Sequence, residues 1–303
     1  MKTYKKSTVA LASMGLLLVT AIWGFSFVVV KEAVDVIPPL YMMAFRFTIA
    51  SAGMAVLFAK RLRNITKQML LHGAWIGIWL FLAYVAQTWG CKYTTAGTYA
   101  FITVMYVVIV PVLSWALFHA RPKLYSLIAA ALALLGVGML SLNGEGGINM
   151  GDWLTLAASV FFAVHMVFVN HFGQEEDPVL LTLLQLATAA LLSWILAPIL
   201  EGAFPTAVWS TDMIGSMLYL GLLASMLGFL LQNVGQKYTP PATAALLMSM
   251  ESVFGTLSSV IFLKERISPK MFAGCAIVLF AVILAETRLE FLPFMKKREG
   301  ADA

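Results

Sequence analysis

The sequence predicts an all-α integral membrane protein: ten transmembrane helices in two inverted five-helix repeats. Three observations carry that prediction. They are an apolar composition, ten long apolar runs joined by short connections, and a duplicated stretch of polar residues. Of the 303 residues, 61% are hydrophobic and 12% charged, and the mean hydropathy is +0.88. A soluble domain is about 45–50% apolar and about 25% charged, so this chain lacks the polar surface that a water-soluble particle needs. That excludes an ordinary soluble enzyme, a disordered chain and a DNA-binding domain. The formal charge of +5 comes from basic residues clustered in short loops, as in a membrane protein, so no nucleic-acid partner is expected. Cys91 and Cys275 are far apart and lack metal-ligand spacing, and read as two unpaired thiols.

A bilayer core about 30 Å thick takes roughly 20 apolar residues as a helix. Runs of that kind cover residues 9–30, 39–59, 70–90, 94–118, 124–142, 152–170, 178–200, 212–235, 240–263 and 269–287. Lipid offers the backbone no hydrogen bonds, so each run is expected to be helical. The first follows Lys2, Lys5 and Lys6, as a signal peptide would. It is too long for a signal h-region and has no small-x-small cleavage site before the next run, so it reads as an uncleaved helix. With the N-terminus inside, 14 Lys and Arg fall on the inner side and 5 on the outer, while Arg46 lies within a span. The expected placement is therefore multi-pass in the cell inner (plasma) membrane, with both termini cytoplasmic.

Residues 87–98 read Q-T-W-G-C-K-Y-T-T-A-G-T and residues 232–243 read Q-N-V-G-Q-K-Y-T-P-P-A-T, six of twelve positions matching at an offset of 145. Ala100/Ala245, Met105/Met250, Ser114/Ser259 and Arg121/Arg266 extend the register, and an offset of 139 aligns Pro39 with Pro178 and Arg46 with Gln185. Polar residues take part, so shared hydrophobicity does not explain the match. The chain divides into a first repeat at 1–147, a second at 148–290 and a cytoplasmic tail at 291–303. Five helices is an odd number, so the second repeat enters the membrane from the opposite side. Inverted repeats recur in secondary transporters, with the substrate near the midplane.

The stretch W-G-F-S-F-V-V-V-K at 23–31, then Pro38-Pro39 and Arg46, resembles the opening of an EamA-type permease of the drug/metabolite transporter superfamily. So does A-F-I-T-V-M-Y-V-V-I-V-P at 100–111. In the second half the resemblance rests on Q-K-Y-T at 236–239, on Glu251 within M-E-S-V-F, and on Leu263-Lys264-Glu265-Arg266. Ser252 departs from the family's proline after the glutamate, and Ala120 from a counterpart of Glu265. The resemblance implies a ten-helix permease, commonly an exporter of amino acids or other small metabolites driven by an ion gradient.

Glu251 is the sharpest candidate. It is the acidic residue at the centre of a span, where insertion of a charge costs about 2.5–3.5 kcal/mol. It could carry a proton, face a substrate amine, or serve as a neutral structural carboxyl. Its repeat equivalent is Tyr106. Tyr99, Thr103 and Tyr106 lie at i, i+4 and i+7, one helix face, and offer a hydrogen-bonding wall or plain packing. Pro111 in the same run is expected to bend it. Arg46 could grip a substrate carboxylate or serve structurally. His165 could bind substrate and relay protons, or pack as a neutral histidine. Gln87 and Gln232, symmetry mates, line the path or stitch helices together. Trp23, sharing a face with Ser26, walls a cavity or packs. Met248, one turn before Glu251, gives a substrate site an adaptable surface. Ala129, Ala133, Gly136, Gly138 and Gly274 permit close helix packing.

There is no Walker loop, metal cluster or hydrolase motif in the sequence. No cofactor and no catalytic residue is expected. The expectation is a secondary active exporter of small metabolites, proton-coupled and working by alternating access. A passive facilitator, or an integral membrane enzyme acting on lipids, is the alternative. Its partners would be the small-molecule substrate, the bilayer and protons, and its state a monomer or weak homodimer.

Overall fold

A computed structural model describes residues 5–93, 99, 102–122, 124–141, 150–206, 209–262 and 269–287. Residues 94–98, 100 and 101 of the expected fourth span, Leu263-Lys264-Glu265-Arg266 and the tail lie outside the described residues. The regular elements described are helical. They are α1 (Lys6–Val34), α2 (Pro39–Leu57), α3 (Lys67–Tyr93), α4 (Tyr106–Phe118), α5 (Leu124–Ser141), α6 (Met150–Gly173) and α7 (Pro178–Leu200). After these come α8 (Thr211–Tyr238), α9 (Pro241–Phe262) and α10 (Pro269–Thr287). A short 3₁₀ segment, Ala59–Asn64, joins α2 to α3. Among the described residues seven helices are long and apolar enough to cross a membrane, namely α1, α2, α3, α6, α7, α8 and α9. The remaining three contribute shorter apolar stretches, Tyr106–Phe118, Leu124–Gly136 and Phe272–Leu284.

Local chemistry sets the helix starts. Proline opens α2, α7 and α9, where its missing N–H costs nothing and its φ is already helical. Asp177 caps α7, its Oδ1 accepting from Val179 N at 2.9 Å. The residue before α2 is Pro38, whose side chain has no acceptor to cap the helix. There the Glu201 carboxylate arrives from the end of α7 and accepts from Leu40 N at 2.9 Å and Tyr41 N at 3.3 Å, satisfying donors that the helix leaves free.

Three interruptions break the regular helices. Before α4, a turn at Val104 and Met105 is closed by i→i−3 bonds, Met105 N to Ile102 O at 3.1 Å and Val107 N to Val104 O at 3.0 Å. In α9 a turn at Ser249 and Met250 is closed in the same way, by Met250 N to Leu247 O and Ser252 N to Ser249 O, both 3.2 Å. In α8, residues Tyr219–Leu227 form wide turns with i→i+5 bonding, one extra residue per turn. α4 continues through Pro111, and a break lies upstream of it at 104–105. Ser252, standing where the family pattern has proline, donates its hydroxyl to Ser249 O at 2.8 Å, taking up a carbonyl at the break.

Packing follows a regular scheme. α3 lies along α6 and on α7, while α8 lies along α1 and on α2. α1 packs on α9, and α6 on α4. The pairs α2–α7, α4–α9 and α5–α10 also meet. Small residues let α5 and α10 close up: a Cβ on Gly136 would fall 2.8 Å from Gly274 O. Two large apolar cores result, beside a small cluster of Ile76, Val169 and Leu181. One joins α1, α2, α3, α7 and α8 around Phe47, Leu80 and Phe229. The other joins α1, α4, α5, α6, α9 and α10 around Val110, Met166 and Leu247. Trp23 and Phe162 pack against both. Each core draws on both halves of the sequence.

Candidate functional site

A cavity of about 40 Å³ lies where the two cores meet. α1 contributes Trp23, Ser26, Phe27 and Val30; α2 contributes Arg46; α3 contributes Tyr84 and Gln87. Tyr99 and Thr103 come from the stretch leading into α4, and Tyr106 is its first residue. Phe162 and Met166 come from α6, Phe229 and Gln232 from α8, and Met248 and Glu251 from α9. Glu251 follows the break in α9, at the first turn of the resumed helix. A carboxylate is favoured there by the N-terminal end of the helix dipole.

Two opposite formal charges face this one cavity. Glu251 is 5% exposed and accepts a hydrogen bond from the Tyr106 hydroxyl at 3.3 Å. Arg46 is 2% exposed. Its Nε donates to Ser225 Oγ at 2.9 Å, and its guanidinium carbon lies 4.8 Å from the Tyr84 ring centroid, a cation–π distance. Among the described residues the ion pairs are Arg61–Asp177 and His72–Glu176, and neither Arg46 nor Glu251 takes part in one. Two further wall atoms, Thr103 Oγ1 and Gln232 Oε1, make no hydrogen bond within the protein. Buried polar atoms are usually paired, so these are free to meet a ligand.

Aromatic rings form the rest of the wall. Trp23 packs on Phe229 with centroids 5.2 Å apart, and Tyr84 sits edge-on to Phe162 at 5.5 Å. Phe27 meets Tyr99 edge-on at 5.4 Å. Trp23 Nε1 is spent on Ala224 O at 2.8 Å, so this indole offers the cavity its ring and not its N–H.

The structure brings Trp23, Arg46, Gln87, Tyr99, Thr103, Tyr106, Gln232, Met248 and Glu251 to one wall. His165 is placed elsewhere. It is fully buried, and its Nε2 pairs with Gln185 Oε1 at 2.8 Å, turning the ring toward α7. Gln185 is the repeat equivalent of Arg46, so the two halves use that position differently. Sequence reasoning passed over Phe27, Tyr84, Phe162, Met166, Phe229 and Ser225. Three of these had a signal. Tyr84 and Phe229 precede Gln87 and Gln232 by one helical turn and sit 145 apart, and Phe162 lies 139 after Trp23. Ser225 had none, being a small residue in an apolar run.

Comparison with known proteins places this arrangement. The EamA-like transporter family matches residues 10–142 and 149–287. The chain belongs to the EamA-like transporter family. An uncharacterized transporter of Archaeoglobus fulgidus is 34% identical over 278 residues, covering 92% of this chain and 86% of that one. Proteins named "Probable amino-acid metabolite efflux pump" in Salmonella typhimurium and Escherichia coli are 28% and 27% identical, each match covering 87% of this chain and 90% of the relative. A crystal structure at 20% identity superposes with a TM-score of 0.74, covering 94% of this chain and 100% of that one, and shares the fold. The chain is accordingly a multi-pass membrane protein of a transporter family and not an enzyme.

Proposed function

We propose that this EamA-family protein is a proton-coupled secondary exporter of small zwitterionic or amphipathic metabolites, amino acids among them. It would work by alternating access between two inverted five-helix repeats, with both termini in the cytoplasm and the chain in the inner (plasma) membrane. The observation that carries the reading is the pairing of Arg46 and Glu251 on one buried cavity without an ion pair between them. A zwitterion would present its carboxylate to Arg46 and its amine to Glu251, and its side chain to Trp23, Tyr84 and Phe229. Glu251 would exchange amine for proton, which couples the two fluxes. The relatives named as amino-acid metabolite efflux pumps support this substrate class and this direction.

The inverted-repeat reading draws support from contacts that recur when the halves are exchanged. A Cβ on Gly90 would meet Gly151 O and Thr155, and one on Gly235 would meet Ala12 O and Leu16. Gly151 and Thr155 lie 139 after Ala12 and Leu16, as Gly235 lies 145 after Gly90. Gly77 faces Gln185 O and Thr188, and Gly221 faces Arg46 O and Ile49, again 139 apart on the partner helix. Lys31 Nζ donates to Cys91 O at 3.2 Å, and Asn170 Nδ2 donates to Gln236 O, at equivalent places. The breaks at 104–105 and 249–250 are equivalent too. The two stretches matched by the family begin and end at these same two offsets. A cavity of about 40 Å³ is far below the roughly 300–1,000 Å³ of small-ligand sites, so substrate entry requires the cores to move apart.

The test is uptake of a panel of radiolabelled amino acids into proteoliposomes under an imposed pH gradient. Uphill accumulation that Glu251→Gln abolishes, with counterflow exchange retained, is the expected result. Full gradient-driven transport by Glu251→Gln would remove the coupling role. Strictly downhill flux in the unaltered protein would make it a facilitator.

A further inference from the structure

The two repeats differ in helix geometry where α8 departs from regular helix. Gly77 and Gly221, equivalent by their partners, are 144 apart, whereas Gly90 and Gly235 are 145 apart. The second half has gained one residue between them, and Tyr219–Leu227 are the wide turns that hold it. α3 shows no such interruption.

The consequence is local and polar. Within the wide turns, Ala224 O accepts from Trp23 Nε1 at 2.8 Å, and Ser225 Oγ accepts from Arg46 Nε at 2.9 Å. Hydroxyls inside regular α7 instead bond back to their own helix: Thr182 to Pro178 O, Thr188 to Leu184 O and Ser193 to Ala189 O. Ser225 is fully buried and lies behind the cavity wall. The corresponding stretch of α3 offers Leu80 and Phe81, which cannot hold a guanidinium. Its facing residue is Gln185, turned to His165.

We infer that Ser225, presented by the wide turns of α8, is the positioning residue that holds Arg46 toward the cavity and makes one side of a nearly two-fold site cationic. The inference rests on the transport reading of that cavity. Ser225 fixes Nε from behind, and Tyr84 backs the guanidinium at 4.8 Å, so the charge has one seat. An anionic group entering the cavity is read there, and the regular α3 side has no equivalent.

A charge-selective labelling experiment tests this without a known substrate. In the full-length protein with Cys91→Ser and Cys275→Ser, the wall residue Ser26 is replaced, Ser26→Cys. Its modification rates are measured in vesicles of both orientations with the anionic 2-sulfonatoethyl and the cationic trimethylammonioethyl methanethiosulfonates. Each is normalised to a free thiol in water. A unit charge about 6 Å away across a water-filled cavity acts with opposite sign on the two reagents and changes the anion-to-cation rate ratio by roughly tenfold. Arg46→Gln should lower the ratio by about that factor and Ser225→Ala by about threefold, while Ser225→Thr, which keeps the hydroxyl, should restore it. A ratio unmoved by Ser225→Ala while Arg46→Gln lowers it overturns the positioning role. A ratio unmoved by Arg46→Gln overturns the cationic seat altogether. No labelling by either reagent from either side would instead refute the accessible cavity, and with it the transport reading on which the inference stands.

Discussion

The turn at Val104–Met105 that leads into α4 and the turn at Ser249–Met250 within α9 stand at equivalent positions and are closed by the same pair of i→i−3 bonds. Helices α3 and α8 are equivalent in packing, yet only α8 carries wide turns. The shared break belongs to the architecture. It ends one helical segment beside the cavity and starts another, so that Tyr106 and Glu251 meet at 3.3 Å from mirrored places. The unshared turn belongs to chemistry, because it supplies the acceptors that hold Trp23 and Arg46. A repeat protein thus keeps its frame symmetric while its two halves differ in the side chains they hold at the cavity.

The largest expected effect breaks the α4–α9 comparison at its point of difference. Glu251→Gln leaves the break intact and removes the titrating group, and should abolish pH-gradient-driven uptake while counterflow persists. Gradient-driven uptake in liposomes measures it. Next comes the frame itself. Gly90→Val and Gly235→Val each force a side chain into Thr155 or Leu16, and overpacking of this kind costs about 1–3 kcal/mol. Thermal unfolding in detergent should show equal losses for the two variants, and a clear inequality would mean that the mirrored contacts are not energetically equivalent.

A smaller effect sharpens the meeting of the two broken helices. Tyr106→Phe deletes the hydroxyl that Glu251 accepts from, worth about 1 kcal/mol or roughly a fivefold loss of ligand affinity. Tyr106→Ala should weaken binding further, and more than Leu113→Ala, which lies on the same helix off the cavity wall. Equal effects in a binding titration would reduce Tyr106 to packing. A last comparison separates the helix starts of α2 and α7. Glu201→Ala removes acceptors from two backbone N–H groups of α2, and Asp177→Ala removes one from α7 together with an exposed pair to Arg61. Losses of about 1–2 and about 0.5–1 kcal/mol are expected in that order, read as shifts in the unfolding midpoint.

Residue identity at particular places explains how much could be read in advance. Proline at 39, 178, 241 and 269 marks helix starts within a residue or two, because its fixed φ acts locally. The paired glutamines, Tyr99, Thr103, Tyr106 and Glu251 were recognisable as polar groups set in apolar runs. The turn at Val104–Met105 had no such mark, since no proline stands there. His165 was equally conspicuous, yet which face it turns to is set by Gln185 across 20 residues of chain.

The sequence by itself determined the helical membrane class, the short connections, the duplication and most of the polar residues of the cavity. These depend on composition, run length and period, which are properties of neighbours along the chain. Tertiary structure alone decided that Arg46 faces the same cavity as Glu251, that His165 does not, and that Ser225 holds the guanidinium. The bond between Arg46 and Ser225 spans 179 residues, and it exists because one extra residue is absorbed in wide turns of α8. That choice is made by the packing of α8 against α1 and α2 and leaves no mark in the local pattern of the chain.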